Sequence, residues 1–189
     1  MFVNPPAEEI AKLLRAARSI AVVGLSPDRT RPSHGVAKAL QRFGYRIIPV
    51  NPFAEFVLGE PAVGSLDQLP EVLARDERVD IVQVFRRAEH VGGIVGACIR
   101  LQLSALWLQV GIVDERAGAL ALQAGIFTVM DRCLFKERAA EGSSTTLTCS
   151  QSAGSCRRMQ SPTMPPTCCA RRKTSTMSIR SSGASTSGN

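Results

Sequence analysis

Residues 22–38, VVGLSPDRTRPSHGVAK, decide how the chain folds. Val22 and Val23 close the run SIAVVGL (19–25), which is β-branched and apolar without alternation, as a strand buried on both faces should be. Gly24 supplies the turn that ends it. The next glycine comes only at Gly35, and the intervening loop carries Ser26, Arg29, Arg31, Pro32 and Ser33. Beyond it Val36, Ala37, Leu40 and Phe43 recur at helical spacing until Gly44 stops the pattern. A strand, a long basic loop and a helix therefore follow one another. The closely spaced glycines of a short phosphate loop are missing. Free amides at the start of the helix, near Gly35, are expected to meet an anion, and the arginines add forked cationic donors suited to phosphate. Pro32 restricts Arg31 to extended backbone, and Ser33 is expected to cap the helix.

The same alternation extends in both directions. Upstream, AEEIAKLLRAA (7–17) places Ile10, Leu13 and Leu14 at helical spacing, with Glu8 and Glu9 in the favourable first turn. Downstream, YRIIPVNP (45–52) reads as a second strand ending in Asn51 and Pro52. A turn at Gly59, a short edge strand near Ala62 and Val63, and a brief helix after Ser65 come next; Pro61 suits an edge, where a missing donor costs least. VDIVQVF (79–85), ALWLQVG (105–111) and IFTVM (126–130) are strands. They are separated by the helical stretches 88–102, weakened by Gly92, Gly93 and Gly96, and 114–125. Strands alternating with helices predict an α/β domain: a Rossmann-like doubly wound parallel sheet in three layers, with strand order 3-2-1-4-5-6. In such sheets the ligand lies beyond the carboxyl ends of the strands, where the order reverses. That point falls between the loop after Gly24 and the loop after Phe85.

Charge divides the chain in two. Up to Glu141 the Lys and Arg exceed the Asp and Glu by one; beyond it stand six basic residues and no acid, which accounts for the formal net charge of +7. The basic character thus belongs to the end of the chain, and no nucleic-acid partner is expected for the folded part. We read residues 1–140 as the domain and 141–189 as a disordered basic tail, because Ser and Thr dominate the tail and little apolar mass offsets its ordering entropy. An acid-free mixture of Ser, Thr, Arg, Pro and Cys is also what translation in a shifted frame yields. No run approaches the length that crosses a bilayer. The first residues lack signal-peptide features, and only Cys98 and Cys133 lie in the near-neutral part. These features together predict a cytoplasmic protein without membrane, metal or disulfide framework.

Each predicted strand ends in residues with chemistry to offer. The second ends in Asn51, where enzymes of the nicotinamide dinucleotides usually place an acid on the ribose; an amide there tolerates a ribose that carries a further phosphate. The fourth ends in Phe85, Arg86 and Arg87, an aromatic face and two cations at the switch point. The fifth ends in Gln109 and Gly111, the sixth in Asp131, Arg132 and Cys133. Each has a plainer reading as a turn residue, a solvated cation or a structural pair. His34 and His90 have no evident catalytic partner in the sequence, and Cys133 is a nucleophile only if its pKa falls.

In their order and spacing the segments VVGLSPDRTRPSHGVAKAL, GYRIIPVNP, VDIVQVFRR, ALWLQVGI and VMDRC resemble the small stand-alone coenzyme A-binding proteins. These are relatives of the nucleotide-binding domain of the succinyl-CoA synthetase alpha subunit. The resemblance covers about residues 19–137. It implies CoA held by the first loop, the Asn-Pro strand end and the Phe-Arg loop, through Gly24, Ser26, Arg29, Arg31, Pro32, Ser33, Asn51, Pro52, Phe85, Arg86, Gln109, Gly111 and Cys133. Phe135 and Arg138 depart from the family pattern after Cys133, and the Ser-rich tail has no counterpart in it. The expected function is binding of CoA or an acyl-CoA without an evident reaction, in a protein that forms a homo-oligomer or serves an unknown protein partner. Two alternatives remain open from the residues: an NADP-dependent oxidoreductase, disfavoured by the missing glycine fingerprint and catalytic pair, and a nucleotide-sensing regulator.

Overall fold

Five residues, Ser19–Val23 (β1), four of them apolar, form the middle of the fold, and all five are buried. In the computed structural model, which describes residues 2–74 and 77–143, β1 is flanked on both sides by parallel neighbours. Arg46–Val50 (β2) pairs with it from Ser19↔Arg46 to Val23↔Val50. Ile81–Val84 (β5) pairs from Ile20↔Ile81 to Val23↔Val84 on the other side. Ala105–Leu108 (β6) and Phe127–Val129 (β7) continue the sheet, giving the order β2-β1-β5-β6-β7. Two short strands, Phe56–Val57 (β3) and Glu60–Pro61 (β4), form a separate antiparallel hairpin.

The doubly wound parallel sheet predicted from the sequence is present, with one correction. The expected third strand near Ala62 and Val63 is reduced to a single parallel bridge between Val50 and Val63. The Asn51 N–H donates to the Val63 carbonyl and the Val63 N–H to the Pro49 carbonyl. The side of β2 that faces this edge thus includes Pro49, which has no N–H to give. A longer neighbour would lose a ladder bond there. Pro61, expected on that edge, lies in β4 instead.

Alternation along the strands separates two apolar layers. Ala21, Val23, Ile48, Val50, Val82, Val84, Leu106 and Leu108 face one side. There they are covered by the short helix Leu69–Val72 (α3), by Val91–Arg100 (α4) and by Glu115–Gln123 (α5). Ile20, Val22, Ile47, Ile81 and Trp107 face the other, beneath Ala7–Ala16 (α1), Pro32–Arg42 (α2) and Leu134–Ser143 (α6). α6 has no counterpart among the elements predicted from sequence. This helix packs on α1 and α2; Leu134 is buried, Phe135 meets Phe43 at 6.0 Å between ring centroids, and Arg138 lies 5.3 Å from the same ring. Arg15 of α1 pairs with Glu141. The helix therefore carries past residue 140 to Ser143, and the basic tail beyond lies outside the described residues. Among those residues no helix is long and apolar enough to cross a membrane.

Just past the end of β7, the backbone of Met130 is held by the segment before α1. Asn4 Nδ2 donates to the Met130 carbonyl at 2.9 Å, and the Met130 N–H donates to Asn4 Oδ1 at 2.8 Å. One side-chain amide thus stands in for a neighbouring strand at an edge that would otherwise offer unpaired groups. Asn4→Ala removes both bonds and should destabilise the protein by about 1–3 kcal/mol, seen as a melting temperature several degrees lower. An unchanged melt would show that water replaces the amide at no cost.

Candidate functional site

The strand order reverses between β1 and β5, and a cleft of about 300 Å³ opens at their carboxyl ends. Its walls are Val23 and Gly24 from the end of β1, Val50 and Pro52 from the end of β2, Gly64–Asp67, Arg86, His90 just before α4, and the α4 face with Gly93, Ile94, Ala97 and Arg100. The floor is apolar, and Arg86, His90 and Arg100 stand at the walls. Arg100 holds Asp67 in a two-pronged contact, Nη2 at 2.8 and 3.1 Å from the carboxylate oxygens. That pair neutralises the acid the cleft contains and fastens the 64–68 loop to α4. The loop is itself set by a capping box between Ser65 and Gln68, which satisfies the orphan donors at the start of the turn.

Gly24 connects the cleft to the loop after β1. Its φ is +83°, and a Cβ there would lie 3.0 Å from Arg86 Cδ. Glycine is required twice over, by the left-handed backbone and by the Arg86 stem laid across it. That stem brings the guanidinium to the switch point, where Arg86 is half-buried. Arg87 does not line the cleft; it is exposed, 4.0 Å from Glu89.

The long loop is held by its own side chains. Pro32 takes the first position of α2, with Arg31 extended before it, as Pro-X geometry predicts. Ser33 does not cap the helix. It is buried one residue inside, and its Oγ accepts from the Ser26 N–H at 3.2 Å. The reason is that Pro32 moves the helix start three residues ahead of Gly35. Pro32 has no N–H, and those of His34 and Gly35 donate to the Arg31 carbonyl. Two of the first amides of this helix are thus engaged within the chain. Ser26 Oγ accepts from the Asp28 N–H. Asp28 accepts from the N–H and hydroxyl of Thr30, and the Thr30 N–H above all holds its carboxyl below the usual carboxylate range. His34 is buried, with Nδ1 3.1 Å from the Ser26 carbonyl oxygen. Arg29 and Arg31 are exposed. Neither lines the cleft; Arg29 lies instead with His34 and Lys38 along a neighbouring groove of about 380 Å³.

Asn51 ties these parts together. Its Nδ2 donates to the Leu25 carbonyl at 2.8 Å, and its Oδ1 accepts from the Phe53 N–H at 2.9 Å. One amide thereby joins the loop after β1 to the turn after β2, which brings Pro52 to the cleft wall. Phe85 is half-buried and packs toward the layer of α1, α2 and α6, across the sheet from the cleft floor. Gln109 accepts from Gln83 Nε2 at 3.2 Å. The Gly111 N–H, at φ +81°, donates to Asp131 Oδ1 at 2.7 Å, so the loops after β6 and β7 are linked. Arg132 pairs with Glu137 at 3.3 Å, and its carbonyl accepts from the Trp107 indole at 2.7 Å. Cys133 is half-buried immediately before α6. Burial pushes the Cys98 thiol up to about 12, which removes it as a nucleophile at neutral pH. Among the described residues no cluster of His, Cys, Asp and Glu suits a metal ion.

Of the residues singled out from sequence, Gly24, Pro52 and Arg86 line the cleft. Asn51, Ser26 and Ser33 brace the loops around it, and Gln109, Gly111 and Cys133 lie further along the carboxyl edge. The 64–67 wall, His90, Ile94 and Arg100 were not anticipated. The signal for the α4 wall was its glycines: a Cβ at Gly93 would meet nothing within 4 Å, because the space beside it is the cleft.

Residues 18–139 match the family model of a CoA binding domain. The uncharacterized protein YneT of Bacillus subtilis is 40% identical over 131 residues, 69% of this chain and 93% of that protein. A solved structure from Thermus thermophilus, cell-free ID.343, has a TM-score of 0.66 at 36% identity, covering 72% of this chain and 99% of its own. A hypothetical protein from Pyrococcus horikoshii OT3 has a TM-score of 0.64 at 29% identity, covering 74% and 98%.

The Asn51 bonds make a ligand-independent prediction. Asn51→Asp loses the donor to Leu25 and sets a carboxylate against a carbonyl. It should destabilise the free protein by about 1–3 kcal/mol, read by chemical denaturation. Equal stability of the two proteins would mean that the amide does not hold the loops. Gly24→Ala should cost a similar amount, about 1–2 kcal/mol for the left-handed backbone alone, with further loss because Arg86 must move.

Proposed function

The chain belongs to the CoA-binding domain family, and from that premise we propose that it binds coenzyme A, or an acyl-CoA, across the carboxyl edge of its sheet. The observation that carries the reading is the cleft at the switch point, apolar within and cationic at its walls, inside the segment matched by the family. The adenine enters between Pro52, the 64–67 loop and Ile94 of α4. Arg86, laid over Gly24, meets the pyrophosphate. Arg29 and Arg31 are long, exposed side chains of the adjoining loop and fold toward the phosphates when the ligand is bound. The end of β2 supports a phosphorylated ribose, since it carries Asn51 where a carboxylate would repel the charge. Asp67, the acid in the cleft wall, is neutralised by Arg100. The pantetheine arm runs along the strand ends toward Gln109 and Cys133.

The role we assign is binding, as a carrier, sensor or partner subunit in the cytoplasm. The histidine nearest the cleft, His90, sits 3.5 Å from Glu89 with both side chains about half exposed or more. That is a solvated pair and lacks the buried, oriented partner that general-base chemistry uses.

A ligand that binds only the folded state adds about 2.7 kcal/mol at a hundred times its dissociation constant, so melting shifts test the reading. We expect a clear shift with CoA, a smaller one with dephospho-CoA, and little with NAD or NADP at equal concentration. Arg86→Ala should shrink the CoA shift, and added salt should weaken it by screening. A larger shift with NADP than with CoA would replace this reading with that of a nicotinamide enzyme.

A further inference from the structure

The sheet contains one side chain that packing does not account for. Gln83, in β5, lies between Val22 of β1 and Trp107 of β6 and is 0% exposed. Its Nε2 donates to Gln109 Oε1 at 3.2 Å, but its own Oε1 is buried without a hydrogen-bond partner. A buried amide oxygen left unpaired lowers stability, and an apolar side chain of similar volume would avoid the penalty. Such a group in a folded core calls for an explanation other than packing.

The explanation lies in what Gln83 holds. Gln109 is half-buried at the carboxyl end of β6, and its backbone N–H donates to the Val84 carbonyl. With its oxygen engaged by Gln83, its amide has N–H donors left to offer at the sheet edge. The ends of β1 and β6 are separated by two inter-strand steps, about 10 Å. The pantetheine arm is longer than that and carries two secondary amides, each with a carbonyl. The pair is neutral, as the arm is.

We propose that Gln109 binds the pantetheine arm by donating to one of its carbonyls, and that Gln83 is a positioning residue that fixes the Gln109 amide with its donor end outward. The proposal rests on the CoA reading above and extends it: the amide pair selects the half of the ligand that CoA does not share with NADP. Gln83 is then kept at the expense of stability.

The test measures affinity by calorimetry for CoA and for adenosine 3′,5′-bisphosphate, which keeps the phosphorylated nucleoside and lacks the pantetheine arm. In the wild type both should bind, CoA more tightly. Gln109→Ala should weaken CoA about fivefold, as for one neutral hydrogen bond, and leave the bisphosphate unchanged. Gln83→Met should weaken CoA about threefold, again without touching the bisphosphate, while its melting temperature equals or exceeds that of the wild type. CoA affinity unaltered in both variants overturns the proposal, as does an equal loss for both ligands. Gln109, at the edge, keeps the test decisive if Gln83→Met folds poorly. If the wild type binds neither compound, the CoA reading itself fails, a result distinct from failure of the amide pair alone.

Discussion

A strand that is apolar on both faces must be covered on both. β1 imposes that constraint, since none of its five side chains is left to solvent. Helices therefore lie on each side of the sheet, and the chain must leave β1 for one flank and return later to the other. The reversal leaves a gap at the carboxyl ends of β1 and β5 that no crossover fills. The cleft opens at that gap.

The gap is shaped by a few polar contacts at close quarters. Gly24 lets the Arg86 stem cross the end of β1, Asn51 pins the two adjoining turns to each other, and the Arg100–Asp67 pair fixes the outer wall. The exposed pair adds little to global stability by itself. Its value is positional, because it sets where the 64–68 loop stands relative to α4. The cleft is thus built from short loops on a rigid sheet, the usual economy of open α/β folds, where strands give the frame and strand ends carry recognition.

The polar residues fall into two groups. Asn4, Asn51, Asp131 and Asp114 use side-chain groups to satisfy backbone ones, as N-caps and turn braces do; Asp114 caps α5 by accepting from the Ala117 N–H. Arg86 and Gln109 stand half-buried at the carboxyl edge of the sheet. Gln83 belongs to neither class by its own contacts, which is why it reads as support for a neighbour.

What the sequence determined by itself was the architecture. Unbroken β-branched runs between amphipathic stretches are a local signal, and the parallel sheet and the switch point followed from it; Gly24, Pro52 and Arg86, singled out at the strand ends, line the cleft there. The tertiary structure decided the rest. Proline at the start of α2 set the helix two residues earlier than a Ser33 cap implies and turned Ser33 from an expected cap into a buried acceptor for Ser26. Proline within β2 reduced the expected edge strand to one bridge, and α6 became visible only through the surface it covers on α1 and α2. The outer wall of the cleft joins residues 64–67 to residues 90–100. No local pattern reveals that meeting, because only the crossover through β5 brings the two segments to the same end of the sheet.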